Sequence, residues 1–175
     1  VVKRYNIKGF AHRISRALRR TRAATSWKNA HRLVMYGITG ARPVALYEQR
    51  FGPLRGKAWL ITEFVSGDDI TRLCKQPRPD RYSSDRIVSD MTALLAQLAQ
   101  CRISHGDMKG SNFIQSPQGI VTIDLDSMRE HRSSTGFRKA QQHDLHRFMR
   151  NWQQCPDIDA RFRESMQHNK RLTGV

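Results

Sequence analysis

The stretch that most limits what this chain can become is His105-Gly106-Asp107-Met108-Lys109-Gly110-Ser111-Asn112, followed by Ile123-Asp124-Leu125-Asp126. A carboxylate, a cation and an amide fall within six positions. Further carboxylates follow after a gap that suits a hairpin. Asp107 can accept the proton of a hydroxyl, and Lys109 can offset the charge of a moving phosphoryl group. Asn112 and Asp124 bring the oxygen donors that hold magnesium against phosphates. An Asp and an Asn five apart are also ordinary turn formers, so the flanking pattern decides. Upstream, Ser84-Asp85 can cap a helix whose apolar residues Ile87, Val88, Met91, Leu94, Leu95 and Leu98 share one face. Downstream, Phe113-Ile114 and Ile120-Val121-Thr122-Ile123 read as short strands around the turn residues Ser116-Pro117-Gln118-Gly119. Helix, polar loop, hairpin, acid is the layout that nucleotide-dependent phosphoryl transfer needs.

Charge narrows the partners. The formal net charge is +16 over 175 residues, and no Asp or Glu precedes Glu48. Such a bias predicts an anionic partner: a nucleic acid, an anionic membrane surface or a phosphorylated substrate. No nucleic-acid-binding motif accompanies the charge, which disfavours nucleic acid. No apolar run approaches the roughly 18 residues that span a bilayer. No signal peptide is read at the start, where a truncation would hide one. The first residue is Val1, inside a strand-like stretch, so a missing start is expected. Cys74, Cys101 and Cys155 are odd in number and lack any CxxC spacing. They read as reduced thiols rather than a disulfide frame or a zinc site.

Along the chain, residues 1–5 read as a strand. Residues 8–22 read as a basic amphipathic helix with Phe10, Ile14, Ala17 and Leu18 on its apolar side. It suits either an anionic membrane surface or packing on the domain. Thr25-Ser26 is expected to cap a helix running to Gly37. Strands are expected over 43–49 and 58–64, separated by the turn Gly52-Pro53-Leu54-Arg55-Gly56, with Gly67-Asp68-Asp69 as a break. Residues 74–83 read as a loop, 127–136 as irregular, and 137–152 and 157–170 as helices.

Taken together, several segments resemble the lipopolysaccharide kinase (Kdo/WaaP) family, a lipid-and-sugar branch of the protein-kinase-like fold. They are Val2-Lys3-Arg4-Tyr5-Asn6, Ser26-Trp27-Lys28-Asn29-Ala30, Gly37-Ile38 with Arg42-Pro43, Gly52-Pro53-Leu54-Arg55-Gly56, Thr62-Glu63-Phe64-Val65 with Gly67, and the His-Gly-Asp loop with its Ile-Asp-Leu-Asp partner. Gly106 stands where protein kinases carry Arg. The resemblance implies a two-lobed α+β kinase-like fold. Residues 1–64 would be the remnant of an N-terminal lobe without its glycine-rich loop, and 65–175 a mainly helical catalytic lobe. It implies ATP and Mg2+ as cofactors and a sugar hydroxyl of the lipopolysaccharide core as acceptor. It also implies a cytoplasmic enzyme peripheral to the inner membrane, where the basic helix would meet anionic lipid.

Roles follow from the same resemblance. Asp107 would be the catalytic base and Lys109 would sit near the transferred group. Asn112 and Asp124 would hold magnesium, with Asp126 as a second metal contact or a helper that orients the loop. Lys3 would reach the α- and β-phosphates. Glu63, Phe64 and Val65 would form the hinge against adenine, mostly through backbone groups. Asp144 resembles the buried structural Asp of a later kinase helix, and equally a solvated helix charge. One departure stands out. The helix Glu that pairs with the phosphate lysine in kinases has no counterpart, and Ser26 takes roughly its place. Lys3 must then be held differently, by Asp124, or the enzyme is weak or inactive. A kinase-like scaffold that binds without catalysis, and a kinase for another small-molecule or protein hydroxyl, stay open as alternatives.

Overall fold

The computed structural model describes residues 1–5, 20–76 and 82–169. The expected basic helix falls mainly on residues 6–19 and so lies outside the described residues. The chain divides into two compact units. The first comprises Val1–Phe64 with Asp124–Ser127, the second Val65–Ile123 with Met128–Val175.

The first unit is a three-stranded antiparallel sheet covered by one helix. Its elements are β1 (Val2–Tyr5), α1 (Arg22–Met35), β2 (Pro43–Phe51) and β3 (Leu54–Thr62), with strand order β1-β3-β2. Side chains alternate along a strand, so Lys3 and Tyr5 turn inward while Val2 and Arg4 face solvent. Tyr5, Ala23, Ala58 and Leu60 form the core, with Trp27 and Leu46 packed against it. Helix α1 starts earlier than the Thr25-Ser26 cap expected from the sequence. Thr21 is the cap, its Oγ1 accepting from the Ala24 amide at 3.1 Å. Ser26 is instead buried, with Oγ 3.2 Å from the Tyr5 hydroxyl. The turn expected over 52–56 also shrinks, because Phe51 pairs with Leu54 and Arg50 with Arg55, leaving Gly52-Pro53 as the tip. A 3-10 turn, Leu125–Ser127, belongs to this unit, and the Leu125 carbonyl accepts from Asn29 Nδ2 at 2.8 Å.

The second unit holds β4 (Asp68–Asp69), α2 (Ile70–Lys75), α3 (Ser84–Gln100), β5 (Ile103–Ser104), β6 (Phe113–Ser116), β7 (Gly119–Thr122), β8 (Arg129–Glu130), α4 (Ser134–Met149) and α5 (Pro156–His168). β6 and β7 form the expected hairpin, and β4 adds to its edge through β6. Residues 68–69, expected as a break, are thus a short strand. Asp69 then caps α2, its Oδ1 accepting from the Arg72 amide at 3.0 Å. The cap of α3 is Ser83, one residue before the expected Ser84-Asp85, its Oγ accepting from the Arg86 amide at 3.2 Å, and every apolar residue expected on the inner face of the helix is buried. Helix α4 begins three residues before Phe137 because Ser133 caps it at 3.1 Å. The core is aromatic: Phe148 meets Trp152 at 5.3 Å, Phe162 at 5.0 Å and Phe113 at 6.3 Å between ring centroids.

Candidate active site

The loop between β5 and β6 is built around a buried histidine. The His105 ring accepts at Nδ1 from the Asp107 amide, 3.4 Å away. Its hydrogen therefore sits on Nε2, which lies 3.2 Å from the Ile123 carbonyl and 3.1 Å from Thr122 Oγ1. The ring thus ties the loop to the end of β7. Gly106 follows with φ +77, a left-handed backbone that glycine adopts without steric cost. Turning there aims two successive amides at one carboxylate. His105 N–H donates to Asp144 Oδ2 at 2.6 Å and Gly106 N–H to Asp144 Oδ1 at 3.0 Å. Asp144 is 2% exposed, so its role is the structural one, not that of a solvated helix charge. Burial raises its pKa above the ordinary carboxylate value, against the pull of the two amides.

Asp107 is the next residue, and three groups converge on it. Lys109 Nζ lies 2.9 Å from Oδ2, Arg147 2.5 Å from Oδ1, and Asn112 Nδ2 donates to the Asp107 carbonyl at 2.8 Å and to Oδ2 at 3.3 Å. Burial alone would raise this carboxyl. The Lys109 hydrogen bond, the Arg147 and Lys109 charges and the Asn112 amide outweigh it and hold the pKa below the ordinary value. Because Asn112 spends Nδ2 on Asp107, its Oδ1 is the atom turned elsewhere, as a cation ligand must be. Ile123 N–H donates to the Asn112 carbonyl at 2.9 Å, which sets the 3-10 turn Gly110–Asn112 against the residue preceding Asp124. Gly110 is required by space. A Cβ there would lie 2.2 Å from Thr71 Oγ1 and 3.1 Å from the Trp152 ring.

Within the first unit, Lys3 Nζ lies 2.5 Å from Asp124 Oδ1 and 5.2 Å from the centre of the Tyr5 ring. Burial lowers the Lys3 pKa, but the bond to Asp124 and the charges of Tyr5, Asp124 and Asp126 together outweigh it, and the ammonium ends above its ordinary value. Ser26, at the place of the absent helix Glu, turns to Tyr5 instead. Asp124 itself has φ +58, a conformation that costs a non-glycine residue energy and that clusters at functional sites. Asp126 is gripped by Arg22, its side chain almost fully covered. That position suits the helper that orients the segment better than an open metal ligand. Glu63 is engaged by its backbone N–H, which donates to the Arg42 carbonyl at 3.0 Å, and its carboxylate lies 3.8 Å from Arg42. Phe64 points to solvent at 77% exposure and Val65 follows it.

Each of the expected metal donors, taken by itself, has chemistry that suits magnesium. Among the described residues no cluster of three or more His, Cys, Asp or Glu forms a metal cage. Magnesium does not need one, since it keeps waters and is held by one or two carboxylates together with substrate phosphates. Asn112 Oδ1 and the Asp124 carboxylate are hard oxygen donors of that kind. Arg147 is the residue that the sequence alone did not single out. It lies three positions after Asp144 on α4, the spacing that puts two side chains on one helix face. That spacing could have found it once Asp144 was placed on the loop.

The solved structure of WaaP in complex with acyl carrier protein aligns with a TM-score of 0.61 over 82% of this chain and 65% of that one, at 19% identity. At that identity the likeness is one of fold, and it bears out the α+β kinase-like fold expected from the sequence. The chain therefore spans just under two thirds of the length of the WaaP chain it matches. No curated protein matches. The sequence matches the lipopolysaccharide kinase (Kdo/WaaP) family over residues 1–168, nearly its whole length, and with the His-Gly-Asp loop held as described the chain belongs to that family.

Proposed function

We propose that this protein transfers the γ-phosphoryl group of ATP to a sugar hydroxyl of the lipopolysaccharide core. The observation that carries the reading is the Asp107 carboxylate. It is ionised, aimed by the Asn112 amide, flanked by Lys109 and Arg147, and mounted on a loop whose amides are fixed by buried Asp144. A carboxylate so held accepts the acceptor hydroxyl's proton while Lys109 offsets charge on the moving group. Lys3 binds the non-transferred phosphates, leaving Asp124 for the metal. Magnesium, when bound by Asn112 and Asp124, supplies charge neutralisation at the phosphates. The hinge Glu63, Phe64 and Val65 holds adenine through backbone groups.

The enzyme works at the cytoplasmic face of the inner membrane as a peripheral protein. Its net charge of +16 suits an anionic leaflet, each Lys or Arg near such a surface being worth about 1 kcal/mol. Among the described residues no helix is long and apolar enough to cross a membrane. The test is Mg2+-dependent phosphate transfer from labelled ATP to purified lipopolysaccharide core, with Asp107→Ala as control. Removal of the base is expected to cost about 10²–10⁴-fold in rate. Transfer that survives Asp107→Ala undiminished would overturn the assignment. ATP binding without transfer would instead support the scaffold reading, which the pairing of Lys3 with Asp124 in place of a helix Glu favours.

A further inference from the structure

The hairpin of β2 and β3 carries a surface that catalysis does not use. Phe51 ends β2 at 85% exposure, and Leu54, its cross-strand partner, opens β3 at 42%. Gly52-Pro53 joins them. The tip therefore projects two adjacent apolar side chains into solvent as a small wedge. One register step behind it Arg50 pairs with Arg55, and Lys57 and Arg4 lie further along the same sheet. Two of these cations, Arg50 and Arg55, face a single carboxylate, Glu48, whose side chain is only 5% exposed. It is covered by Arg50 at 2.6 Å and Arg55 at 3.8 Å. Arg50 keeps more than half of its side chain in solvent even so.

We propose that this tip is a lipid-insertion element: Phe51 and Leu54 enter an anionic bilayer between headgroups while Arg50, Arg55 and Lys57 meet the lipid phosphates. Charge and shape together select this occupant. Apolar side chains backed directly by cations match the order of hydrocarbon and phosphate in a leaflet. A wedge, unlike a groove, needs a surface that parts to receive it. A second copy of the chain fits poorly, because a two-fold contact at the tip would set like charges against each other. The membrane location proposed above supplies the surface, but the inference stands on the hairpin's own side chains and needs no nucleotide chemistry.

The experiment is sedimentation of the protein with phosphatidylglycerol-rich vesicles and with pure phosphatidylcholine vesicles, at low and high salt. Charge attraction is screened at high salt whereas apolar insertion is not. The wild type is expected to keep part of its binding to anionic vesicles at high salt, and Phe51→Ser with Leu54→Ser to lose about tenfold or more of that remainder. Unchanged thermal melting of the double variant shows that the hairpin still folds, as the exposure of both residues predicts. In a separate variant, Phe51→Trp, tryptophan emission should move to the blue when anionic vesicles are added. Binding by the double variant equal to wild type, or an unmoved Phe51→Trp emission, overturns the proposal. So does a dimer in solution that the double variant dissociates, because the tip's occupant is then another copy. Loss of phosphate transfer leaves these readouts untouched, so the two proposals fail separately.

Discussion

Asp144 and Arg147 leave α4 three residues apart and act on neighbouring parts of one loop, the first on its amides and the second on its carboxylate. Replacing Asp144 by Ala removes the acceptor for two N–H groups, of which that of His105 is buried, and should destabilise the protein by about 1–3 kcal/mol for that donor left unpaired. Urea denaturation at constant m reads this directly. A loss under a few tenths of a kcal/mol would mean that water replaces the carboxylate. Arg147 is testable through pH. The Asp107 pKa is depressed, so the carboxylate stays ionised down to below its ordinary value near 4, and the acid limb of the rate profile should lie below that. Its ion pairs add stability above the unfolded-state pKa, and this is lost as pH falls through the folded-state value. Arg147→Ala removes one of the groups that depress it and should move the acid limb upward. An unmoved limb would show that Lys109 alone sets the ionisation.

At the scale of elements, the aromatic core ties the second unit together and Gly110 marks how tightly. Phe162→Ala opens a hole beside Phe148 and Trp152, all fully buried, and should cost about 3–5 kcal/mol. Gly110→Ala forces a Cβ against Thr71 and Trp152 and should cost about 1–3 kcal/mol by overpacking. Adding Thr71→Ala should recover part of it, which a double-mutant cycle on stability measures. Legibility in the sequence followed locality. Helix α3 could be read because its apolar face lies within one stretch, although its cap is Ser83 and not the neighbouring Ser84-Asp85. Helix α2 could not, because six residues are too few to show a period and its cap, Asp69, sits in a run that reads as a break. The start of α1 was misplaced since Ser26 looks like a cap and is a buried hydrogen-bond partner. The His-Gly-Asp loop was legible as a motif. Its fastening by Asp144 joins residues 38 and 39 positions apart, legible only through the resemblance, and Arg147 on Asp107 is as distant, legible only from its helical spacing once Asp144 is placed.

The whole molecule shows that chain order and folded order differ. The first unit includes residues from far along the sequence, Asp124–Ser127, which give Lys3 its partner, Arg22 its counter-charge and Asn29 its acceptor. A fragment ending at Phe64 should therefore fold poorly, with narrow amide dispersion in NMR spectra, whereas a chain reaching past Ser127 should be well dispersed. A native-like spectrum from the short fragment would show that the sheet and α1 suffice. On the ribosome the same arrangement imposes a wait. About sixty further residues must be made, which takes several seconds at roughly 5–20 residues per second, before the opening strand's lysine can meet the aspartate that completes it. The nascent sheet is exposed for that interval, and it is there that a chaperone would find it.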